Sequence, residues 1–153
     1  MADQGFGGLG AVLTSGHPKT AEDRISIHGG YEIKDQWRFS FTNTALKYES
    51  TGNYKMSTQI LGGEQMWVKR VNEGYALIGA LGAGLFLTSL SGNVSGSGYA
   101  IGLLATGTGR FAISKTLFVD VAIHYRNAGV AIDDYAVDAG YKGLIINLGM
   151  LFN

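Results

Sequence analysis

The sequence predicts an all-β chain, an eight-stranded antiparallel up-and-down β-barrel that crosses a membrane on its strands. Three observations carry that expectation. The 36 residues from Gly74 to Gly109 contain no charged side chain yet are broken throughout by glycine, serine and threonine. Such a run is too apolar to face water and too rich in glycine for a comfortable helix. Within it, Tyr75, Leu77, Leu81, Leu85 and Leu87 share one parity while Ala76, Ala80, Gly82 and Gly84 share the other, and a period of two marks a strand. The composition sets 24 glycines against one proline, and 46% hydrophobic residues against 16% charged. That balance is unusual for a water-soluble domain and suits a narrow barrel, where glycine lets strands coil and leaves interior room for a neighbour's long side chain. Strands that turn apolar groups outward and small or polar groups inward are what a membrane barrel needs.

The elements follow in order. Gly5 to Ser15 is the first strand. From Arg24 to Ile33, the residues Ile25, Ile27, Gly29, Tyr31 and Ile33 alternate with Arg24, Ser26, His28, Gly30 and Glu32, so the apolar and polar faces separate cleanly. Lys34-Asp35 makes a short turn, and Gln36 to Ser50 continues with Trp37, Phe39 and Phe41 opposite Arg38, Ser40, Thr42 and Thr44. Lys55 to Lys69, Gly74 to Ser89, Gly98 to Ile113 and Thr116 to Tyr125 are the next four. Tyr141 to Phe152 ends the barrel, with Leu144, Ile146, Leu148, Met150 and Phe152 opposite Gly143, Asn147 and Gly149. Short turns fall at Lys34-Asp35, Arg70 to Glu73 and Ser114-Lys115. Longer polar loops fall at Gly16 to Asp23, Thr51 to Tyr54, Ser91 to Ser97 and Arg126 to Asp138. All four loops lie at one end, as in outer-membrane barrels.

Two other architectures compete. A transmembrane helix over Gly74 to Leu90 has adequate length, but it leaves the alternating hairpin at residues 24–41 without a partner sheet. A soluble barrel of the lipocalin kind requires charges on one face of every strand, and the uncharged run contradicts that.

The chain of 153 residues reads as one domain over 1–153. A formal net charge of zero, with Lys and Arg scattered, gives no basic stripe for nucleic acid. Without cysteine there is no disulfide framework and no thiolate metal site. No His-x-x-x-His, Glu-x-x-His or EF-hand pattern occurs, and the glycine-rich Gly5 to Gly10 lacks the lysine of a phosphate loop, so the sequence calls for neither a metal nor a cofactor. Met-Ala-Asp-Gln-Gly has neither the basic nor the apolar region of a secretory signal, and reads as a mature terminus behind an added Met1. The expected location is the bacterial outer membrane, with outer-membrane lipids as neighbours. An envelope protein partner and a homo-oligomer both stay open.

On the polar side of the strands stand Arg24, His28, Glu32, Arg38 and Asp120. Charged groups in a narrow lumen must pair, because an isolated buried charge is too costly, so these read as an interior ion-pair network. The sharpest local motif is Ala122-Ile123-His124-Tyr125-Arg126-Asn127-Ala128-Gly129, at the end of the seventh strand. This run resembles the His-Tyr-Ser-Asn-Ala-Gly motif of the PagL-type lipid A 3-O-deacylases, outer-membrane enzymes built as eight-stranded barrels of about this size.

The resemblance implies ester hydrolysis on lipopolysaccharide, with His124 as general base, Asn127 and Gly129 at the oxyanion, and Asp138 as the acid that orients the base. Tyr125 and Arg126 then fall where the lipid is held, Arg126 on a phosphate. At the nucleophile's position, however, stands Arg126, which cannot attack an ester carbonyl. Three readings follow, in this order: a barrel of that kind which no longer hydrolyses lipid A, a water activated by His124 with Asp138 in support, or a loop serine such as Ser91, Ser95 or Ser97 as substitute. The alternative to a deacylase is a non-catalytic barrel with a structural, adhesive or partner-binding role. On that view His-Tyr-Arg-Asn is a polar rim, with Tyr125 in the interfacial aromatic belt. Regular strand parity turns His124 inward with Asp120 and Ala122.

Overall fold

A period-two sequence can bury one face only as a strand, and slipping it by a residue would exchange the faces. The strands therefore form where the alternation is strongest. In the computed structural model, which describes residues 3–15, 24–48, 54–92, 95–132, 135–138 and 140–152, ten strands are present. They are β1 (Asp3–Ser15), β2 (Arg24–Ile33), β3 (Trp37–Tyr48), β4 (Tyr54–Asn72), β5 (Tyr75–Gly92), β6 (Gly96–Ala112), β7 (Leu117–Asn127), β8 (Gly129–Ile132), β9 (Tyr135–Asp138) and β10 (Tyr141–Phe152). Eight of them, β1 to β7 with β10, make a closed antiparallel barrel in which each strand pairs with its sequence neighbours and β1 closes on β10. The segment Gly74 to Leu90 is strand, not helix, and lies almost wholly in β5.

The uncharged run forms one long hairpin, paired from Tyr75 opposite Phe111 up to Leu90 opposite Gly96. Leu77, Leu81 and Leu87 face outward from it, as do Leu9, Ile27, Trp37, Phe39, Phe41, Leu61, Trp67, Ile123, Ile146 and Leu148 from the other strands. Polar side chains occupy the opposite parity: Ser26, His28, Glu32, Arg38, Thr42, Thr44, Asp120 and Asn147 are all buried. The polarity of a soluble barrel is reversed, and the lipocalin-like architecture is excluded by it.

At the turn end, β2 and β3 are joined through Lys34 (φ 52°) and Asp35 (φ 54°). Two consecutive left-handed residues form the centre of a primed turn, whose twist suits a hairpin, and the Gln36 N–H closes it on the Ile33 carbonyl at 3.0 Å in a connection of three residues. Asp35 is tied down by Gln4 Nε2 at 3.0 Å and Arg70 at 3.0 Å.

The loop end departs from the sequence reading. The predicted loop Arg126 to Asp138 instead carries the last two residues of β7 and a small second sheet, β8 paired with β9 from Gly129 opposite Asp138 to Ile132 opposite Tyr135. Val130 and Ile132 are buried because they complete an apolar core with Met56, Ile60, Phe86, Leu90, Leu104 and Ala128. The inner face of β5 is accordingly not uniformly small, since Ile78, Phe86 and Leu90 point inward as well. The predicted loop Ser91 to Ser97 is shorter than expected, with β5 running to Gly92 and β6 starting at Gly96. The predicted loops Gly16 to Asp23 and Thr51 to Tyr54 lie outside the described residues, apart from Tyr54, which opens β4.

Candidate functional site

The barrel interior is stratified. Nearest the turn end, Glu32 on β2 accepts from Arg38 on β3 at 2.9 and 2.7 Å, and from Arg110 on β6 at 3.0 Å through each carboxylate oxygen. Arg110 also donates to both oxygens of Asp120 at 2.8 Å, donates to Gln4, and lies 3.9 Å from the centre of the Phe118 ring. A guanidinium forks between two carboxylates here, the geometry in which such pairs are strongest. The structure thus brings together Glu32, Arg38 and Asp120 of the expected lumen network. It adds Arg110 as the hub, and the side chain of Arg24 lies outside the described residues.

The next layer contains the motif's histidine. Strand parity splits the run: His124 and Arg126 point into the barrel and are fully enclosed, while Tyr125 and Asn127 point outward. Arg126 donates to His124 Nδ1 at 2.9 Å, to the carbonyls of Ala105 (3.0 Å) and Tyr125 (3.1 Å), and to Thr106 Oγ1 at 3.3 Å. The Thr106 hydroxyl donates to Glu64 Oε2 at 2.7 Å, and the other Glu64 oxygen lies 3.7 Å from the guanidinium. His28 stands edge-on to His124, their ring centres 4.7 Å apart, and its Nδ1 meets Thr42 Oγ1 at 2.7 Å. The Nε2 atoms of both histidines have no hydrogen-bond partner among the described residues.

The chemistry of this layer follows from its donors and acceptors. A guanidinium has only donors, so His124 Nδ1 must accept, and in the neutral ring the proton sits on Nε2. A general base oriented by an acid has the opposite arrangement, in which Nδ1–H donates to a carboxylate and Nε2 offers its lone pair. Asn127 lies on the other face of β7 from His124, and Gly129 lies beyond Ala128 at the start of β8. Asp138 sits opposite Gly129 in the β8–β9 ladder, with its side chain outside the described residues. His124 and Arg126 are therefore brought together, while Tyr125, Asn127 and Gly129 do not converge on them. Ser91 and Ser97 are exposed in β5 and β6, and Ser95 is exposed between them. Sequence reasoning missed Glu64 and Arg110; both share strand parity with inward residues, Glu64 with Ile60 and Met66, and Arg110 with Thr106 and Thr108.

Among the described residues, no group of three or more His, Cys, Asp or Glu side chains could hold a metal ion.

No family model matches the sequence, and no curated protein matches it. Among solved structures the chain is similar to Neisserial surface protein A, with a TM-score of 0.66 and 15% identity over 98% of this chain and 96% of that one. It is also similar to the outer membrane protein OprG of Pseudomonas aeruginosa, at TM-score 0.63 and 11% identity over 99% and 96%. A third is Ail of Yersinia pestis in complex with the heparin analogue sucrose octasulfate, at TM-score 0.59 and 18% identity over 99% and 97%. What these structures share with the chain is the closed antiparallel barrel.

Proposed function

We propose that this protein is a non-catalytic barrel of the bacterial outer membrane, which acts by presenting its loop end to a partner. The observation that carries the reading is the contact between Arg126 and His124 Nδ1 at 2.9 Å, with both side chains buried inside the barrel. It gives the histidine the wrong tautomer for general-base catalysis, puts a cation where a triad has its acid, and leaves His124 with no exposed surface. The outward belt of Leu, Ile, Phe and Trp side chains supports residence in a bilayer. Outer-leaflet lipid, lipopolysaccharide included, is then solvent for the barrel wall rather than substrate.

Lipid A 3-O-deacylation is the second reading, favoured by the run from His124 to Gly129. Mass spectrometry of purified lipid A incubated with the refolded protein in detergent separates the two. The expected result is an unchanged acyl pattern for the native chain, for His124→Ala and for Arg126→Ser. Loss of one ester-linked acyl chain that requires His124 would overturn the proposal, and activity gained in Arg126→Ser would identify a decayed triad.

A further inference from the structure

A groove on the outer wall of the barrel is left unfilled by the protein itself. Hydrogen-bonded rows climb this staggered barrel. The row that starts at Trp37, the first residue of β3 at the turn end, passes through Gln65, Leu81, Ala105 and Tyr125 to Lys142, the second residue of β10 at the loop end. Two residues nearer the turn end, the parallel row runs from Trp67 through Gly79 and Gly107 to Ile123 and Leu144. Along it, with Leu77, Gly109 and Val121 on its turn side, lies an open groove of about 550 Å³. The row crosses four strand spacings, about 19 Å. That suits the chain of one leaflet, half of a hydrocarbon core about 30 Å thick.

The protein's own packing does not require glycine in this floor. A Cβ on Gly79 or Gly107 would meet nothing within 4 Å, whereas one on the inward Gly82 or Gly149 would stand 1.9 Å from the Gly63 carbonyl oxygen or the Phe118 ring. Glycine weakens a strand interior, and where it persists it often marks a close approach of a ligand to the backbone. Trp67, Leu77, Val121, Ile123 and Leu144 stand exposed around the floor. At its turn end the groove meets a cation, Lys69, and the Tyr75 ring beside Gly109. The neighbouring Arg70 is paired with Asp35, but Lys69 has no carboxylate partner among the described residues, and no acidic side chain lines the groove.

We propose that this groove is a binding site for one anionic glycerophospholipid of the leaflet at the turn end, the periplasmic leaflet of an outer membrane, with an acyl chain laid over Gly79 and Gly107 and the phosphate at Lys69. Dispersion contact between the chain and the bare backbone and attraction of Lys69 to the anionic headgroup then act on the same molecule. A second copy of the barrel fits this face poorly. Two copies inserted the same way and joined here are related by an axis along the membrane normal. That axis sets Lys69 of one copy beside Lys69 of the other at the same height, with no carboxylate of the groove to offset them. The site rests on residence of the barrel in a bilayer, and it is independent of any partner at the loop end.

Trp67 stands on the rim and reports occupancy. In full-length Trp37→Phe it is the one tryptophan left, and in phosphatidylcholine vesicles its fluorescence is quenched by lipids brominated on their acyl chains. Brominated phosphatidylglycerol is expected to reach Trp67 about fivefold more than brominated phosphatidylcholine at equal mole fraction. Leu148→Trp, with both native tryptophans replaced by phenylalanine, reports the opposite wall, since β10 lies four strands from β4 in either direction; there the two lipids are expected to quench alike. In the Trp37→Phe background, Lys69→Gln and the filled variant Gly79→Val with Gly107→Val are expected to lose the preference, while Lys142→Gln, at the loop end, keeps it. Valine suits a strand better than glycine, so the urea midpoint of the filled variant should not fall, and a heat-modifiable band in unboiled gels confirms folding. The proposal is overturned by equal quenching from the two lipids at Trp67, by the same preference in Leu148→Trp, by a preference that survives in Lys69→Gln or the filled variant, or by an equal loss in Lys142→Gln. Shielding of Trp67 from both lipids would also overturn it, and would assign the groove to a second copy. Absence of the heat-modifiable band, with no quenching by either lipid, would overturn residence in the bilayer and the site with it.

Discussion

Removing the guanidinium from the middle layer of the lumen should expose how the interior charges are held. In Arg126→Met the apolar stem remains, but Glu64 loses the cation 3.7 Å from its carboxylate, and its remaining hydrogen bond is the one from Thr106. Both side chains are almost wholly enclosed, so solvent screening is minimal. Breaking a buried pair from one side leaves an uncompensated charge and costs about 3–5 kcal/mol. At about 1.4 kcal/mol per decade, the ratio of folded to unfolded protein should fall by roughly two to three and a half decades. Urea unfolding in phosphatidylcholine vesicles reports this through Trp37 and Trp67, which face outward and lose their lipid surroundings as the barrel opens. Adding Glu64→Gln removes the stranded charge, and the double variant should recover stability, with a coupling of about 1–3 kcal/mol between the sites. A single-variant loss below about 1 kcal/mol, the scale of a solvent-exposed pair, would refute the reasoning, as would strict additivity. Either result would mean that water reaches this layer.

Gly149→Ala should destabilise the barrel by about 1–3 kcal/mol, because the added methyl would stand 1.9 Å from the Phe118 ring that backs Arg110. The urea midpoint is the readout, and the outward substitution Met150→Leu on the same strand should leave it almost unchanged. In planar bilayers the protein should give no stepwise current, because an eight-stranded lumen is filled by side chains and its loop end is closed by the apolar core around Phe86, Leu104 and Ile132. Steady channel openings would contradict that closure.

The barrel was legible because one signal, alternation, fixes strand position and facing together. β2 begins and ends where the parity of Ile25 to Ile33 predicts, and β10 likewise. Strand ends were less legible: β4 extends to Asn72, three residues past the expected Lys69, since polar side chains at a barrel mouth carry no facing preference. The β8–β9 hairpin was missed because Gly129 to Ile132 is only four residues long and sits among loop-forming neighbours. Its cue was Val130 and Ile132 on one parity, an apolar pair too short to outweigh Asn127 and Gly129. In the candidate site, parity correctly turned His124 and Asp120 inward. It could not say which charge each would meet, because partners such as Glu64 and Arg126 lie on different strands and are set by the stagger of the barrel.

That long-range pairing bears on how the molecule is built. Gln4 and Arg110 are 106 residues apart in the chain, Glu32 and Arg110 are 78 apart, and Glu64 and Thr106 are 42 apart. None of these contacts is available to a growing hairpin. Glu32 with Arg38 and Arg110 with Asp120 can pair within their own hairpins, but a half-assembled sheet must leave Glu64 and the remaining sides of Glu32 and Arg110 hydrated, which keeps it from burying its inner face early. Closure of β1 on β10 is the event that lets Gln4 reach Arg110 and the lumen dry out. The ordering of this core therefore belongs at the end of assembly, and the chain should enter the bilayer in a single cooperative step rather than strand by strand.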